Sequence, residues 1–244
     1  MRLMTTCCLV FLMPLSSSAA DEITRETFGS GGRTRAYYLY VPDSAKGSLP
    51  LIVLLHGSGR NGKSLVDPWR PLARKERIVL AAPDATTPDG WRIPEDGPDF
   101  LHDLIELLVF QHDIDPRRVY LFGHSAGAGH ALAMALLESQ YFAAVSVHAG
   151  TLQDSLVPMI AHAERKIPIA IWVGTDDALF PLPAVRATRD VLKTGGFDAK
   201  LTELAGHTHN YYGRAPYIND QVWTFLRQHV LAAEPVYEKY QFSR

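Results

Sequence analysis

Short apolar runs, each closed by glycine, proline or aspartate, punctuate this chain. They lie at residues 50–55, 77–82, 119–122, 141–148 and 167–173, and a last strand is expected over 199–204. Continuous rather than alternating hydrophobicity over so few residues marks strands buried on both faces. Residues 24–28 and 33–41 differ, since Tyr38 and Tyr40 alternate with Leu39 and Val41 around Gly29-Ser30-Gly31-Gly32. That pattern predicts an antiparallel hairpin at a sheet edge.

Between the runs the period changes to that of helices. Residues 64–76 predict a helix broken or shifted near Pro68 and Pro71. Asp99 is placed to cap a second helix, on which Phe100, Leu101, Leu104, Ile105, Leu107 and Leu108 share a face. Further helices are expected over 126–138, weakly over 152–163, over 183–193 behind Pro183, and over 218–231. In the last, Val222, Phe225, Leu226 and Val230 fall on one side. The stretch 85–98, rich in Pro, Gly and Asp, reads as a surface loop containing Trp91. Strand and helix alternate about five times. The expected fold class is α/β, a mostly parallel central sheet with helices on both faces. Active sites of such sheets lie beyond the strand C-terminal ends.

The N-terminus changes the picture of compartment. Arg2 precedes an apolar run over 7–15 and then Ser16-Ser17-Ser18-Ala19-Ala20. A basic start, a short apolar core and a small-residue cleavage site predict a signal peptide over residues 1–20. The expected mature protein is secreted or periplasmic, with one catalytic domain over 21–244. Cys7 and Cys8, the only cysteines, fall in the leader, so neither disulfide nor Cys–metal ligation is expected of the mature chain. The formal charge is −2, from 24 basic and 26 acidic side chains, and loss of Arg2 makes it −3. Nothing in that balance predicts a nucleic-acid partner, and stable membrane insertion is not expected once the leader is removed.

Chemistry concentrates in four loops at expected strand ends: 56–59, 123–127, 174–177 and 206–210. Gly123-His124-Ser125-Ala126-Gly127 spells G-x-S-x-G between a strand and the small-residue start of a helix. A chain reversing that sharply strains its central residue and leaves no room for side chains at the glycines. It lifts the Ser125 hydroxyl beside the first amides of a helix, which favour negative charge. Serine needs a base to take its proton, and the base needs an anion to orient it. An acidic turn (Asp176, Asp177) and a histidine-bearing turn (His207, His209) follow in that order. The Ala126 N–H and an amide of the 56–59 loop, Ser58 by preference, are expected to form the oxyanion hole.

The stretches LPLIVLLHGSGRNG, RVYLFGHSAG, VGTDDALFP and GHTHNYY resemble secreted esterases of the polyhydroxybutyrate depolymerase and feruloyl esterase group. Those belong to the α/β-hydrolase superfamily. The resemblance covers nearly the whole mature chain. It implies hydrolysis of small, aryl, hydroxyacyl or oligomeric carboxylic esters by an acyl-enzyme route, without a cofactor. The related G-T-x-D pattern, with proline four residues on, selects Asp177 and Pro181 over Asp176. A D-H-x-Y-Y exit loop selects His209, whereas a plain G-H exit would select His207. Alternative readings are a peptidase of the same fold and an inactive binding protein. With no linker and no separate polymer-binding domain in view, attack on crystalline polymer is not expected.

Other residues carry smaller expectations. Trp91, Phe180, Tyr211 and Tyr212 could form an aromatic substrate wall, at least two of them being packing residues instead. His148, at a strand end, could line the pocket. His56 and His124 are expected to be buried scaffold. His207 and His209 lack a third partner for a metal site.

Overall fold

The structure is a computed structural model that describes residues 22–43 and 47–237. The expected signal peptide lies outside the described residues. Eight strands form one sheet in the order β1-β2-β4-β3-β5-β6-β7-β8. These are β1 (Ile23–Ser30), β2 (Arg33–Tyr40), β3 (Leu49–Leu55), β4 (Val79–Pro83), β5 (Ile114–His124), β6 (Ala144–His148), β7 (Ile169–Gly174) and β8 (Ala199–Leu204). The β1–β2 hairpin is antiparallel and joins β4 antiparallel; every other pairing is parallel. This is the mostly parallel sheet that the apolar runs predict.

Alternation along each buried strand builds two cores. Leu51, Val53 and Leu55 of β3, with Val119 and Leu121 of β5, face one layer. Ile52 and Leu54, with Tyr120 and Phe122, face the other. Helices α2 (Pro98–Gln111), α3 (Ala126–Leu137) and α4 (Leu182–Thr194) cover the first face. Helices α1 (Lys63–Glu76) and α5 (Ala215–Leu226) cover the second. No helix among the described residues is long and apolar enough to cross a membrane.

Several expected boundaries moved. Helix α1 runs unbroken through Pro68 and Pro71. Each interior proline costs about 3 kcal/mol of helix stability, yet Leu65, Val66, Trp69 and Ala73 are all fully buried against the sheet. Tertiary packing outweighs local propensity there. Gly97, not Asp99, precedes α2; Pro98 takes its first position, and Asp99 sits inside the first turn. Asp115 and Pro116 belong to β5 rather than ending the region before it. The expected helix over 152–163 is a 3-10 helix, Asp154–Ala161, with Pro158 inside it. The closing helix starts and stops earlier than expected, and Val230 is half exposed beyond it.

Candidate active site

The elbow after β5 is built by close approach. A Cβ at Gly127 would lie 1.9 Å from the Leu55 carbonyl oxygen, and one at Gly123 would lie 2.2 Å from the Gly127 oxygen. Any larger residue would push β3, β5 and α3 apart. Ser125 itself has φ 58° and ψ −120°, a conformation non-glycine residues hold only when their surroundings impose it. The His148 carbonyl helps impose it by accepting the Ser125 N–H at 3.0 Å.

Three strand ends bring three side chains together. Ser125 Oγ lies 3.0 Å from His209 Nε2, and His209 Nδ1 lies 2.9 Å from Asp177 Oδ2. The Asp177 carboxylate is fully buried. Its other oxygen accepts the N–H groups of Leu179 and Phe180, each at 2.9 Å. The histidine ring is thus hydrogen-bonded on both nitrogens, and its acidic partner is itself locked. Phe180 stacks on His209 at 5.5 Å, with 13° between the rings.

The paired candidates separate cleanly. Asp176 is exposed, and its Oδ1 accepts the neighbouring Thr175 hydroxyl at 3.2 Å. The His207 ring is buried and meets His148 Nε2 at 3.1 Å rather than Ser125. Gly57 lies against Ser125, since a Cβ there would be 3.1 Å from Ser125 Cβ. Ser58, on the same loop, donates its hydroxyl to the Asp89 carbonyl at 2.7 Å. Gly90 sits between Ser58 and Ala126: its Cβ would be 3.7 Å from Ser58 Oγ and 3.3 Å from Ala126 Cβ.

A cavity of about 770 Å³ opens beside Ser125 and Ala126, with Trp91 and Phe180 in its wall. Trp91 stacks on His130 at 5.2 Å, 16° from parallel, and donates its indole N–H to the His56 carbonyl at 2.8 Å. His130 Nε2 donates to the Asp96 carbonyl at 2.8 Å, and burial drives its pKa down to about 4. Asp96 anchors the whole 84–97 loop. Its fully buried carboxylate takes Arg35 at 2.6 Å, the Thr86 N–H and hydroxyl, and the Arg92 N–H.

Two of the expected substrate contacts are corrected. His148 and Tyr211 are both fully buried and cannot touch a molecule in the cavity. Tyr211 fills the second core and hydrogen-bonds Asn219, so it is a packing residue. Tyr212 packs against the same core and bonds Ser64 weakly at 3.4 Å. His148 lies behind the site, between His124 and His207. His56 and His124 are buried, as expected of scaffold. Burial lowers both their pKa values, His124 to about 4 with added repulsion from His209. Burial, then repulsion from the neighbouring histidines, takes His148 to about 2.

His130 was missed as a wall residue, although a signal existed. Ala126, Gly129, His130, Ala133 and Leu137 recur at helical spacing along α3, and all line the cavity. Gln153, just before the 3-10 segment, and Leu156 and Met159 within it had no motif to announce them. Among the described residues, no group of three or more His, Cys, Asp or Glu side chains is disposed to hold a metal.

The sequence matches the model of the family described as "Alpha/beta hydrolase family" over residues 52–243. It is 26% identical over 153 residues to a poly(3-hydroxyalkanoate) depolymerase C from Paucimonas lemoignei, covering 57% of this chain and 37% of that protein. It is 26% identical over 156 residues to a poly(3-hydroxybutyrate) depolymerase from Ralstonia pickettii, covering 54% and 31% respectively. The chain therefore spans about a third of the length of the curated relatives it matches. Among solved structures, a thermostable esterase superposes with TM-score 0.68 at 22% identity, covering 86% of this chain and 64% of that one. At that identity the likeness is one of fold.

Proposed function

The chain belongs to the alpha/beta hydrolase family, and from that premise we propose that it is a serine esterase hydrolysing carboxylic esters through an acyl-enzyme intermediate. One observation carries the reading. A strained, pocket-facing serine hydroxyl is hydrogen-bonded to an imidazole whose far nitrogen meets a buried carboxylate, at 3.0 and 2.9 Å.

The chemistry follows from those contacts. Ser125 Oγ attacks the ester carbonyl carbon while His209 Nε2 takes its proton. Asp177 holds the proton on Nδ1 and stabilises the imidazolium that forms. The N–H groups of Ala126 and Ser58 receive the oxyanion, each worth roughly 3 kcal/mol of transition-state stabilisation. His209 then protonates the leaving alkoxide, which departs as alcohol. Water, deprotonated by the same ring, attacks the acyl-enzyme, releases the carboxylic acid and restores Ser125. No cofactor enters any step.

The 770 Å³ cavity suits a small ester or one end of an oligomer, with Trp91 and Phe180 as its apolar wall. The depolymerase names of the two relatives favour hydroxyacyl esters in the substrate panel. A secreted or periplasmic location and a single catalytic domain over 21–244 complete the proposal. The test is Ser125→Ala against a panel of p-nitrophenyl, short-chain alkyl and 3-hydroxyacyl esters, with matching amides. Ester turnover should fall by at least ~10⁴ with the fold intact. Unchanged turnover would remove Ser125 as nucleophile, and preferred turnover of the amides would make the protein a peptidase.

A further inference from the structure

His148 closes β6, the strand between the one that ends at the nucleophile and the one that ends near the acid. Its ring is fully buried and does not face the cavity. Burying an imidazole so completely requires that both ring nitrogens find partners. Both do. Nδ1 lies 3.1 Å from His124 Nδ1, and Nε2 lies 3.1 Å from His207 Nε2.

Proton bookkeeping orients this chain of rings. Each of the two gaps between nitrogens needs one proton, and a neutral His148 supplies only one. It therefore donates on one side and accepts on the other. The His148 carbonyl, which can only accept, also lies 3.4 Å from His124 Nδ1. A proton on His124 Nδ1 serves both His148 acceptors. That leaves His148 donating from Nε2 to His207. Three neutral imidazoles then satisfy every contact without a buried charge.

Each end of the chain touches catalytic geometry. His124 immediately precedes Ser125, and its ring lies 4.9 Å from that of His209. The His148 carbonyl accepts the Ser125 N–H as well. His207 is two residues before His209, and its carbonyl accepts the Asp176 N–H at 3.0 Å, one residue before Asp177. Tyr211 closes over His124 and His148 at 5.3 and 5.6 Å. Arg60 and Asp177 act on His124, and Arg214 and Asp177 act on His207.

The geometry points to His148 as a positioning residue: a buried neutral imidazole that ties the nucleophile elbow to the base-bearing loop and so fixes the Ser125–His209 contact. This rests on the esterase reading of Ser125 and His209. Misplacing reacting groups by about 1 Å can cost about 100-fold. His148→Phe fills the same space but severs both bonds. It should lower kcat, per site titrated with an aryl phosphonate, by about 10- to 100-fold, with KM within twofold. His148→Gln, which keeps a polar group toward His207, should recover part of the loss. Because His207→Phe cuts the same bond, the double variant should be no slower than His148→Phe alone.

A titrated kcat within threefold of wild type in His148→Phe would overturn the inference. So would a loss confined to the number of titratable sites, or additive losses in the double variant. If the phenylalanine variant does not fold, His148→Asn, which lacks reach to His207, is judged by the same thresholds. Ser125→Ala separates two failures. Turnover surviving in it refutes the esterase reading, while its loss alongside full activity in His148→Phe refutes only the bridge.

Discussion

Asp177→Asn isolates what the buried carboxylate does. Oδ1 already accepts two backbone N–H groups, from Leu179 and Phe180. The oxygen of an asparagine amide must stay there, because an NH₂ facing those donors would clash. Its nitrogen is then placed 2.9 Å from His209 Nδ1, where Oδ2 was. An N–H at that point donates, so the ring must offer a lone pair at Nδ1 and move its proton to Nε2. That proton points at Ser125 Oγ, 3.0 Å away. The base is then occupied before the reaction starts. A wrong tautomer of this kind lowers kcat by about 10⁴, or about 5 kcal/mol in the barrier. Shape and backbone bonds are retained, so the melting temperature should change by only a few degrees. Ester hydrolysis at pH 7.5, with phosphonate titration and a thermal melt on the same sample, reads all three. A titrated kcat within tenfold of wild type would refute the assignment of Asp177.

Three further outcomes follow from named contacts. Asp96→Ala takes the carboxylate from Arg35, whose side chain is only 8% exposed and keeps just the Glu95 and Asp84 carbonyls. It should cost about 3–5 kcal/mol in urea unfolding and loosen the 84–97 loop; a loss below 1 kcal/mol would contradict the anchor. Trp91→Ala removes the ring stacked on His130 and the bond to the His56 carbonyl. It should raise KM about tenfold for aryl or long acyl esters, from roughly 1–2 kcal/mol of lost contact, and far less for acetate; equal effects on both would remove Trp91 from the substrate wall. His124 and His130 are held at about 4 and His148 at about 2, below their ordinary 6.5, so between pH 6.5 and 4 the unfolded chain binds protons that the folded chain does not. Stability is therefore complete above pH 6.5 and falls as pH drops toward 4; a urea midpoint unchanged between pH 7 and 5 would contradict this.

Legibility in the sequence followed physical range. Strands buried on both faces advertise themselves, because every position must be apolar; the 50–55 run matches β3, buried at every position, to within one residue. The elbow was legible because close backbone approach at Gly123 and Gly127 admits no other residue. Helix ends were less so. Pro68 and Pro71 look like breakers, but the contacts that override them come from distant strands and α5. Aromatic residues near the site were the least legible. Phe180 and Tyr211 each lie within three residues of a triad candidate, yet one walls the cavity and the other fills the core. Nothing local distinguishes them, since the difference is set by which layer of the sheet each loop folds back upon.

Strand order explains why a buried histidine belongs where it is. Ser125, Asp177 and His209 follow β5, β7 and β8, and β6 lies between the first two. A sheet spaces neighbouring strands by about 4.8 Å, so the elbow and the acid-bearing loop stand roughly 10 Å apart. The β6 terminus must fill that gap. An apolar residue there would pack, but it would leave His124 Nδ1 only the long contact to the residue-148 carbonyl and take from His207 Nε2 the partner it now has. A charged residue there would bury a charge, at a desolvation cost that a neutral ring avoids. A neutral imidazole satisfies both nitrogens, carries no charge, and reaches sideways to both neighbours at once.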